Sequence, residues 1–232
     1  MRKPEWEFAV MEALKPFEID RRRMVEVQIR RRGVRDERVL DAMQRVPRHE
    51  FVSAKFLELA YADRPLPIGD AETISQPYIV AAMTEAAGIQ PGDKVLEVGG
   101  GSGYQAAILA FIGAQVYSVE RNPRLAESAR ARLARLGYGG VEVICADGSE
   151  GYAMGAPYQA ILVTAGSPQA PPALLEQLAE GGRMVIPVGG LTGQQLQLIR
   201  KSATGSSVQN LDLCQFVPLI GKYGWPEQPR PA

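Results

Sequence analysis

Apolar residues recur at helical spacing in the first 50 residues of this 232-residue chain. One predicted helix is capped by Asp20 and stops at Gly33, and a second is capped by Asp36 and ends before Pro47. Their apolar faces would consist of Met24, Val25 and Ile29 in the first helix, and of Val39, Leu40, Met43 and Val46 in the second. The pattern therefore predicts a helical N-terminal part.

Proline and glycine then interrupt the pattern over residues 61–78, which predicts a loop. A third helix is expected from Ile79 to Ala87, with Gly88 directly after its end. From residue 93 onward, short apolar runs alternate with helical segments. Strands are predicted at 94–98, 116–120, 141–146, 160–164 and 183–188, and helices at 104–111, from 123, and at 172–179.

Strands that alternate with helices favour a parallel sheet with helices on both faces. The C-terminal segments 195–201 and 208–217 differ, because apolar and polar residues alternate within them, which is typical of antiparallel strands. The Gly- and Ser-rich residues 202–207 would join them. The predicted fold class is therefore α/β, a mostly parallel, doubly wound sheet with an antiparallel C-terminal edge hairpin.

The composition is that of an ordinary globular protein, with 46% hydrophobic and 22% charged residues. The formal net charge is zero, so the overall charge favours neither a nucleic acid nor a membrane as partner. The arginine triplets at 21–23 and 30–32 are interleaved with acidic residues. Such a pattern is more typical of solvated helix faces than of a nucleic-acid site.

The chain carries no apolar run long enough to cross a membrane, and its N-terminal residues lack the apolar core of a signal peptide. Cys145 and Cys214 lie in apolar segments. They are predicted to be small buried residues rather than a disulfide, which suits a reducing compartment. No spacing of cysteine and histidine suggests a metal site. A cytoplasmic location is the resulting expectation.

The segment from Val95 to Gln105 predicts a buried strand that breaks into a glycine turn and continues as a helix. Gly99, Gly101 and Gly103 allow positive φ and let a ligand lie against bare backbone. The helix that follows would begin with free N–H groups. The turn is therefore predicted to hold a nucleotide-like ligand.

Acidic residues follow three predicted parallel strands, where ligands of such sheets bind. Glu97 lies in the first strand's turn, Glu120 ends the second strand, and Asp147 with Gly148 follows the third. Such a rim suits a ligand with ribose hydroxyls, an amine and a positive charge. Together with the glycine turn, it favours S-adenosylmethionine.

A dinucleotide is the alternative ligand, because an acid about 20 residues past a glycine turn can hold its ribose. The dinucleotide fingerprint, however, requires glycine where this chain has Tyr104. An acidic rim also suits a pyrophosphate poorly. A nicotinamide-dependent oxidoreductase therefore stays the weaker hypothesis.

Four segments resemble the protein-L-isoaspartate O-methyltransferase family, and the resemblance extends over about residues 20 to 220. General methyltransferases share the glycine turn but not the Thr-Ile-Ser-x-Pro segment at 73–77, which is the most specific part. The resemblance implies the Rossmann-like fold of class I S-adenosylmethionine-dependent methyltransferases. The matching segments are 46–52, 72–78, 95–105, and 171–178 followed by 181–189.

The resemblance also implies roles for individual residues. In the family, the loop at 73–77 closes over cofactor and substrate, and its serine is assigned to the active site, which corresponds to Ser75. Glu120 would hold the ribose hydroxyls, and Asp147, beside Gly148, would lie near the adenine amino group. The glycine motif corresponds to Glu97, Gly99, Gly101, Ser102 and Gly103, and the substrate-binding residues to Thr73, Ile74, Ser75, Gln76, Pro77 and His49.

The implied reaction transfers a methyl group from S-adenosylmethionine to the free α-carboxylate of an L-isoaspartyl residue, leaving S-adenosylhomocysteine. The ester would close to a succinimide and start the repair of damaged proteins. The expected partners are isoaspartyl proteins and peptides, with no nucleic acid and no membrane, and the expected state is a monomer. Another acceptor, such as a small molecule or RNA, stays open as an alternative.

The chain is expected to form one globular unit of three parts. Residues 1–90 would form a helical extension with the covering loop, residues 91–220 the methyltransferase core, and residues 221–232 a tail. Three positions depart from the family pattern. Gly100 stands where the family often has Thr or Ser, Gln159 where it usually has Asp, and Ile220 where it tends to have Thr.

Overall fold

The structure, a computed structural model, describes residues 16–227 of the chain. Residues 1–15 of the predicted extension and 228–232 of the predicted tail lie outside the described residues. The strands are β1 Leu66–Gly69, β2 Glu72–Ile74, β3 Lys94–Val98, β4 Gln115–Glu120, β5 Glu142–Cys145, β6 Tyr158–Val163, β7 Leu178–Gly190, β8 Gly193–Ser202 and β9 Gly205–Cys214. The α-helices are α1 Pro16–Arg23, α2 Glu37–Arg45, α3 Pro77–Ala87, α4 Tyr104–Ile112, α5 Pro123–Arg135 and α6 Pro172–Gln177.

Seven strands form one sheet in the order β5-β4-β3-β6-β7-β8-β9. The neighbouring strands from β5 to β7 pair in parallel, whereas β7, β8 and β9 pair antiparallel. The predicted fold class is therefore confirmed, including the hairpin at the C-terminal edge. The chain moves outward from β3 to β5 and then returns to the other side of β3 as β6, so a switch point for ligand binding lies beside β3.

The central strand β3 shows why the sheet is covered on both faces. Val95 belongs to the hydrophobic core that includes Met43 of α2 and Met83 of α3. Leu96 and Val98 project the other way, into a second core. Because side chains alternate along a strand, a continuous apolar run is buried on both sides of the sheet.

The N-terminal helix already includes Pro16, the first described residue. Asp20 therefore lies inside the helix and does not cap it, which corrects the sequence prediction. The helix continues as a π-helical turn over Met24–Ile29 and ends at Gly33, as expected, with a φ of 108°. The predicted cap Asp36 is confirmed, because its carboxylate accepts a hydrogen bond from the backbone N–H of Arg38 at 2.9 Å.

The segment predicted as a loop contains a short hairpin, formed by β1 and β2. Asp70 and Ala71 make its turn with φ values of 54° and 63°. The Asp70 carboxylate accepts hydrogen bonds from Asn122 and Arg124, which hold the turn against the start of α5. The hairpin thus leads the chain directly into residues 73–77 and the start of α3.

Neither cysteine is the buried residue that the sequence predicts. Cys145 is exposed, and Cys214 is half-buried. Both end strands at the two opposite edges of the sheet, β5 and β9, where one side lacks a neighbouring strand. The two thiols are not joined to each other. Within residues 16–227, no helix is both long and apolar enough to cross a membrane.

Candidate functional site

A cavity lies at the carboxyl ends of β3, β4 and β6, at the switch point of the sheet. The glycine turn forms one wall and residues 72–75 form another. Segment 217–220 also reaches it. The predicted site residues that line it are Thr73, Ile74, Ser75, Glu97, Gly99, Gly101, Ser102, Glu120 and Gly148.

The glycine turn is tied to β4 through its backbone. The N–H groups of Gly99 and Gly100 both donate to the Val119 carbonyl, at 2.9 and 3.2 Å. Gly99 has a φ of 96°, and a Cβ there would lie 2.5 Å from Thr164 Oγ1. Gly103 does not line the cavity, and a Cβ on it would press on Leu133 of α5 at 3.2 Å. In the structure, Gly103 therefore packs against α5 and does not line the cavity.

Glu120 is held rigidly at the end of β4. Its Oε2 accepts a hydrogen bond from the Gly101 N–H at 2.8 Å, and its Oε1 accepts one from the Asn122 N–H at 2.7 Å. Only 6% of the residue is exposed. Each carboxylate oxygen has a second lone pair, so the group can still accept hydrogen bonds from ligand hydroxyls.

Glu97 is completely buried, and only one of its oxygens is satisfied. Oε2 accepts a hydrogen bond from Ser118 Oγ at 2.5 Å, whereas Oε1 has no hydrogen-bond partner among the described residues. Burial raises the pKa of Glu97 to about 8, and the nearby Glu120 charge adds to this effect while the Ser118 hydrogen bond opposes it. A cationic donor would therefore stabilise the ionised carboxylate here.

At position 100, where the family often has Thr or Ser, the glycine of this chain leaves space beside Ser118. A Cβ at this position would lie 2.5 Å from Ser118 Oγ, the hydroxyl that donates to Glu97. Gly100 therefore leaves room for this hydrogen bond. The departure at Gln159 lies away from the cavity, because its Oε1 accepts from the N–H of Lys94 at the start of β3. Ile220 does line the cavity and presents an apolar side chain to it.

Asp147 lies beside the main cavity rather than in its lining. It lines an adjoining cavity together with Arg121, Cys145 and Ile220. Its Oδ1 accepts hydrogen bonds from the N–H and the hydroxyl of Ser149, at 2.9 and 2.7 Å.

The C-terminal segment is fastened to this corner of the site. Asp147 Oδ2 accepts from the N–H of Lys222 at 2.8 Å, and the Tyr223 N–H donates to Ser149 Oγ at 3.0 Å. Burial alone would raise the pKa of Asp147, but the hydrogen bonds from Lys222 and Ser149 hold it below its usual value. The carboxylate is thus ionised and anchors residues 222–223.

The segment 73–77 lies between two spaces. Ser75 lines the main cavity and also an open groove on the side of α3 and β9, as do Thr73 and Thr164. Gln76 lines only the groove. Pro77 begins α3 and is buried, so it lines neither space. A group bound in the cavity and a chain lying in the groove would therefore meet at Ser75.

A network of side chains forms the far wall of the groove. The Arg32 guanidinium lies 3.5 Å above the centre of the Tyr78 ring and also pairs with Asp63 at 3.1 Å. The Tyr78 hydroxyl donates to Asp212 Oδ2 at 2.9 Å, which connects α3 to the end of β9. The groove is therefore bordered by polar groups that are already paired with one another.

The structure does not bring His49 to the cavity or to the groove. Its ring stacks on Phe17 with 4.2 Å between the ring centres, and its Nδ1 lies 2.6 Å from the Tyr61 hydroxyl. Burial lowers the pKa of His49. The residue before it, Arg48, is fully buried behind Tyr104, which does line the cavity.

Several lining residues were not singled out from the sequence. Tyr104 and Gln105 stand at the start of the predicted helix 104–111, and Thr164 directly follows β6. The Thr164 hydroxyl donates to the carbonyls of Val98 and Gly99, at 3.0 and 2.7 Å, and so supports the glycine turn from the neighbouring strand. Only its place after a strand, at the ligand-binding edge, could have indicated it.

Comparison with known proteins gives a consistent result. The sequence model of the family described as Protein-L-isoaspartate(D-aspartate) O-methyltransferase matches residues 20–224. A protein-L-isoaspartate O-methyltransferase of Koribacter versatilis is 57% identical over 209 residues, which cover 90% of this chain and 94% of the relative. Protein-L-isoaspartate O-methyltransferase 1 of Syntrophobacter fumaroxidans is 53% identical, with coverages of 90% and 98%.

Two solved structures share the fold. A protein-L-isoaspartate O-methyltransferase superposes with a TM-score of 0.80 at 31% identity, covering 88% of this chain and 67% of that one. A putative protein-L-isoaspartate O-methyltransferase of Plasmodium falciparum, in complex with S-adenosyl-L-homocysteine, has a TM-score of 0.75 at 24% identity, with coverages of 89% and 99%. From the family match and these relatives, the chain belongs to the protein-L-isoaspartate(D-aspartate) O-methyltransferase family.

Proposed function

We propose that this protein transfers a methyl group from S-adenosylmethionine to the free α-carboxylate of L-isoaspartyl residues in proteins and peptides. The observation that carries the proposal is the position of Ser75, at the junction of an enclosed cavity and an open groove. A small donor and a polypeptide acceptor can approach this junction from opposite sides. Membership of the family supports the same reaction.

The cavity fits S-adenosylmethionine. The buried, unpartnered Oε1 of Glu97 matches a ligand with a cationic donor, and the fixed carboxylate of Glu120 matches ribose hydroxyls. Gly99, Gly101 and Ser102 would hold the ligand along the turn, with Gly148 at the adenine end. When bound, S-adenosylmethionine supplies a methyl group on a sulfonium, and its transfer leaves S-adenosylhomocysteine.

The chain's own contribution is orientation and exclusion of water. The acceptor carboxylate is ionised near pH 7, so no general base is required. The Ser75 hydroxyl would donate a hydrogen bond to this carboxylate and align it, while Thr73, Ile74 and Gln76 hold the neighbouring backbone of the substrate. Alignment of two reacting groups in one enclosed site can supply much of the rate enhancement.

In the ester, methanol can leave, whereas a free carboxylate has no comparable leaving group. The nitrogen of the adjacent backbone amide attacks the ester carbonyl, loses its proton and expels methanol, and the resulting succinimide hydrolyses partly to normal aspartate. The proposed role is thus the repair of damaged proteins. We further propose that the protein acts as a monomer in the cytoplasm. Cavity and groove are both built by one chain, and the two unpaired thiols fit a reducing compartment.

The deciding experiment supplies S-adenosylmethionine with a tritiated methyl group to the enzyme and a matched pair of peptides. We expect base-labile label on the isoaspartyl peptide and none on its aspartyl twin. Label on RNA or on a small molecule, with none on either peptide, would indicate a methyltransferase with another acceptor. Tight binding of NAD without binding of S-adenosylhomocysteine, measured by calorimetry, would instead favour the oxidoreductase hypothesis.

A further inference from the structure

Gln105 carries an unsatisfied acceptor in the wall of the cofactor cavity. The residue lies in the first turn of α4, lines the same cavity as Glu97 and is only 6% exposed. Its amide Nε2 donates to Thr84 Oγ1 at 2.9 Å. Its Oε1 is buried and has no hydrogen-bond partner among the described residues.

The orientation of this amide follows from the partner of Thr84. The Thr84 hydroxyl donates its only proton to the carbonyl of Val80, at 2.7 Å. It can therefore only accept a hydrogen bond from Gln105, and an amide oxygen in the same place would find no donor. The nitrogen must face Thr84, which leaves Oε1 as the free atom of the side chain.

The Oε1 atoms of Gln105 and Glu97 are both buried without a hydrogen-bond partner among the described residues, and both residues line the same cavity. The cavity wall thus contains two polar oxygens that no described group satisfies. The two rim acids Glu120 and Asp147 differ, because protein donors occupy both oxygens of each.

Buried acceptors without donors are rare, and each costs about 1–3 kcal/mol when left unpaired. A ligand that satisfies this wall must bring several donors, and it gains more if it is cationic, because Glu97 ionises to a carboxylate beside a cation. A primary ammonium group has three N–H donors and one positive charge. The ammonium end of an amino acid therefore fits this position.

We propose that Gln105 is a cofactor-binding residue, whose Oε1 and that of Glu97 together accept hydrogen bonds from the α-ammonium group of the methyl donor. The pair thereby selects for ligands that carry this group, and Thr84 acts as the positioning residue that orients the amide. The proposal rests on the proposed function, because it takes S-adenosylmethionine as the ligand. Nicotinamide dinucleotides lack an aliphatic ammonium group and would leave both oxygens unsatisfied.

The test compares two ligands by isothermal titration calorimetry, S-adenosylhomocysteine and its analogue without the α-amino group. Removing a hydrogen bond to a charged group costs about 1.5–3 kcal/mol, or roughly 10- to 150-fold in affinity. We expect Gln105→Met to weaken the binding of S-adenosylhomocysteine by at least about 10-fold and to leave the analogue almost unchanged.

Gln115→Met is the matched control, because the side chain of this exposed glutamine donates to the Tyr117 hydroxyl and does not line the cavity. If Gln105→Met weakens the binding of both ligands equally, or if it leaves the preference for S-adenosylhomocysteine over the analogue unchanged, the proposal is overturned. Gln105 would then contribute to packing alone. The result is separable from that of the peptide assay. If Gln105→Met loses the preference for the amine while the wild type methylates no isoaspartyl peptide, the inference on Gln105 is sustained and the proposed acceptor is rejected.

Discussion

Replacement of Glu97 by Gln should make the unliganded protein more stable at neutral and alkaline pH. The carboxyl group is completely buried, and its pKa is raised from 4.5 to about 8, mainly by burial. The charged and polar groups that face it are Glu120, Ser118 and the backbone of Ala106. Gln keeps the shape and an acceptor for the Ser118 hydroxyl, but it cannot ionise.

The magnitude follows from the difference between the folded and unfolded pKa values. Each pKa unit corresponds to about 1.4 kcal/mol. Because the folded pKa is the higher one, the stability that Glu97 contributes is complete below pH 4.5 and is lost as the pH rises to 8. Between pH 5 and pH 9, the wild-type free energy of unfolding should therefore fall by about 4 kcal/mol relative to Glu97→Gln.

Urea denaturation without cofactor at pH 5, 7 and 9 measures this difference for the two proteins. Glu58→Gln is the control, because it makes the same substitution at an exposed residue that does not line the cavity. A constant difference between wild type and Glu97→Gln over this range would refute the argument. Calorimetry should show that the wild type binds S-adenosylhomocysteine more tightly than Glu97→Gln, which is the opposite of their order in stability. At pH 7, binding of S-adenosylhomocysteine to the wild type releases about one proton, whereas Glu97→Gln binds more weakly and releases none.

Three further substitutions test other parts of the site. Ser75→Ala should lower kcat/KM by roughly 10- to 150-fold while the affinity for S-adenosylhomocysteine stays the same; wild-type turnover would mean that Ser75 only braces the turn before Pro77. Gly100→Ala should displace the Ser118 hydroxyl and lower the melting temperature, because its Cβ would lie 2.5 Å from that oxygen. Adding Ser118→Ala should recover part of this loss, and strictly additive effects in the double-mutant cycle would contradict a direct clash. Asp147→Ala should weaken the binding of S-adenosylhomocysteine and expose the chain after Gly221 to limited proteolysis; unchanged binding and unchanged cleavage would argue against the anchoring role.

The parts of the fold that the sequence predicts well depend on local signals. The strands from residue 93 onward are apolar runs bounded by glycine or polar residues, and the glycine turn has its own spacing. Because the carboxyl ends of parallel strands meet at one edge, Glu97 and Glu120 could be placed near each other from the strand order alone. The predicted site around the turn therefore coincides with the observed cavity.

Other features depend on competition between local signals. Asp20 is a residue type that often caps helices, but the chain before it is already helical from Pro16, the first described residue. The turn of the β1–β2 hairpin contains Asp70 and Ala71 instead of the glycine that usually marks such a turn, so the local sequence pattern predicts a loop. Cys145 lies in an apolar run, yet β5 is an edge strand and exposes it.

A third group of features exists only through tertiary contacts. Oε1 of Gln105 is left without a partner because the amide nitrogen donates to Thr84, which is 21 positions away. The orientation of the amide depends in turn on the hydrogen bond from the Thr84 hydroxyl to the Val80 carbonyl. Arg48 is buried with its Nε on the Ala60 carbonyl and its guanidinium carbon 5.0 Å from the centre of the Tyr104 ring. Burial lowers the pKa of Arg48 to about 10. Nothing in the spacing of these residues predicts such contacts.

The attachment of Lys222 and Tyr223 to Asp147 and Ser149 bears on what a shortened chain would retain. All nine strands of the described residues precede these two donors along the chain. A chain truncated before residue 222 would therefore keep every one of these strands and lose the two N–H groups that anchor the corner at Asp147 and Ser149. Such a truncation would separate the stability of the sheet from the order of this corner of the site.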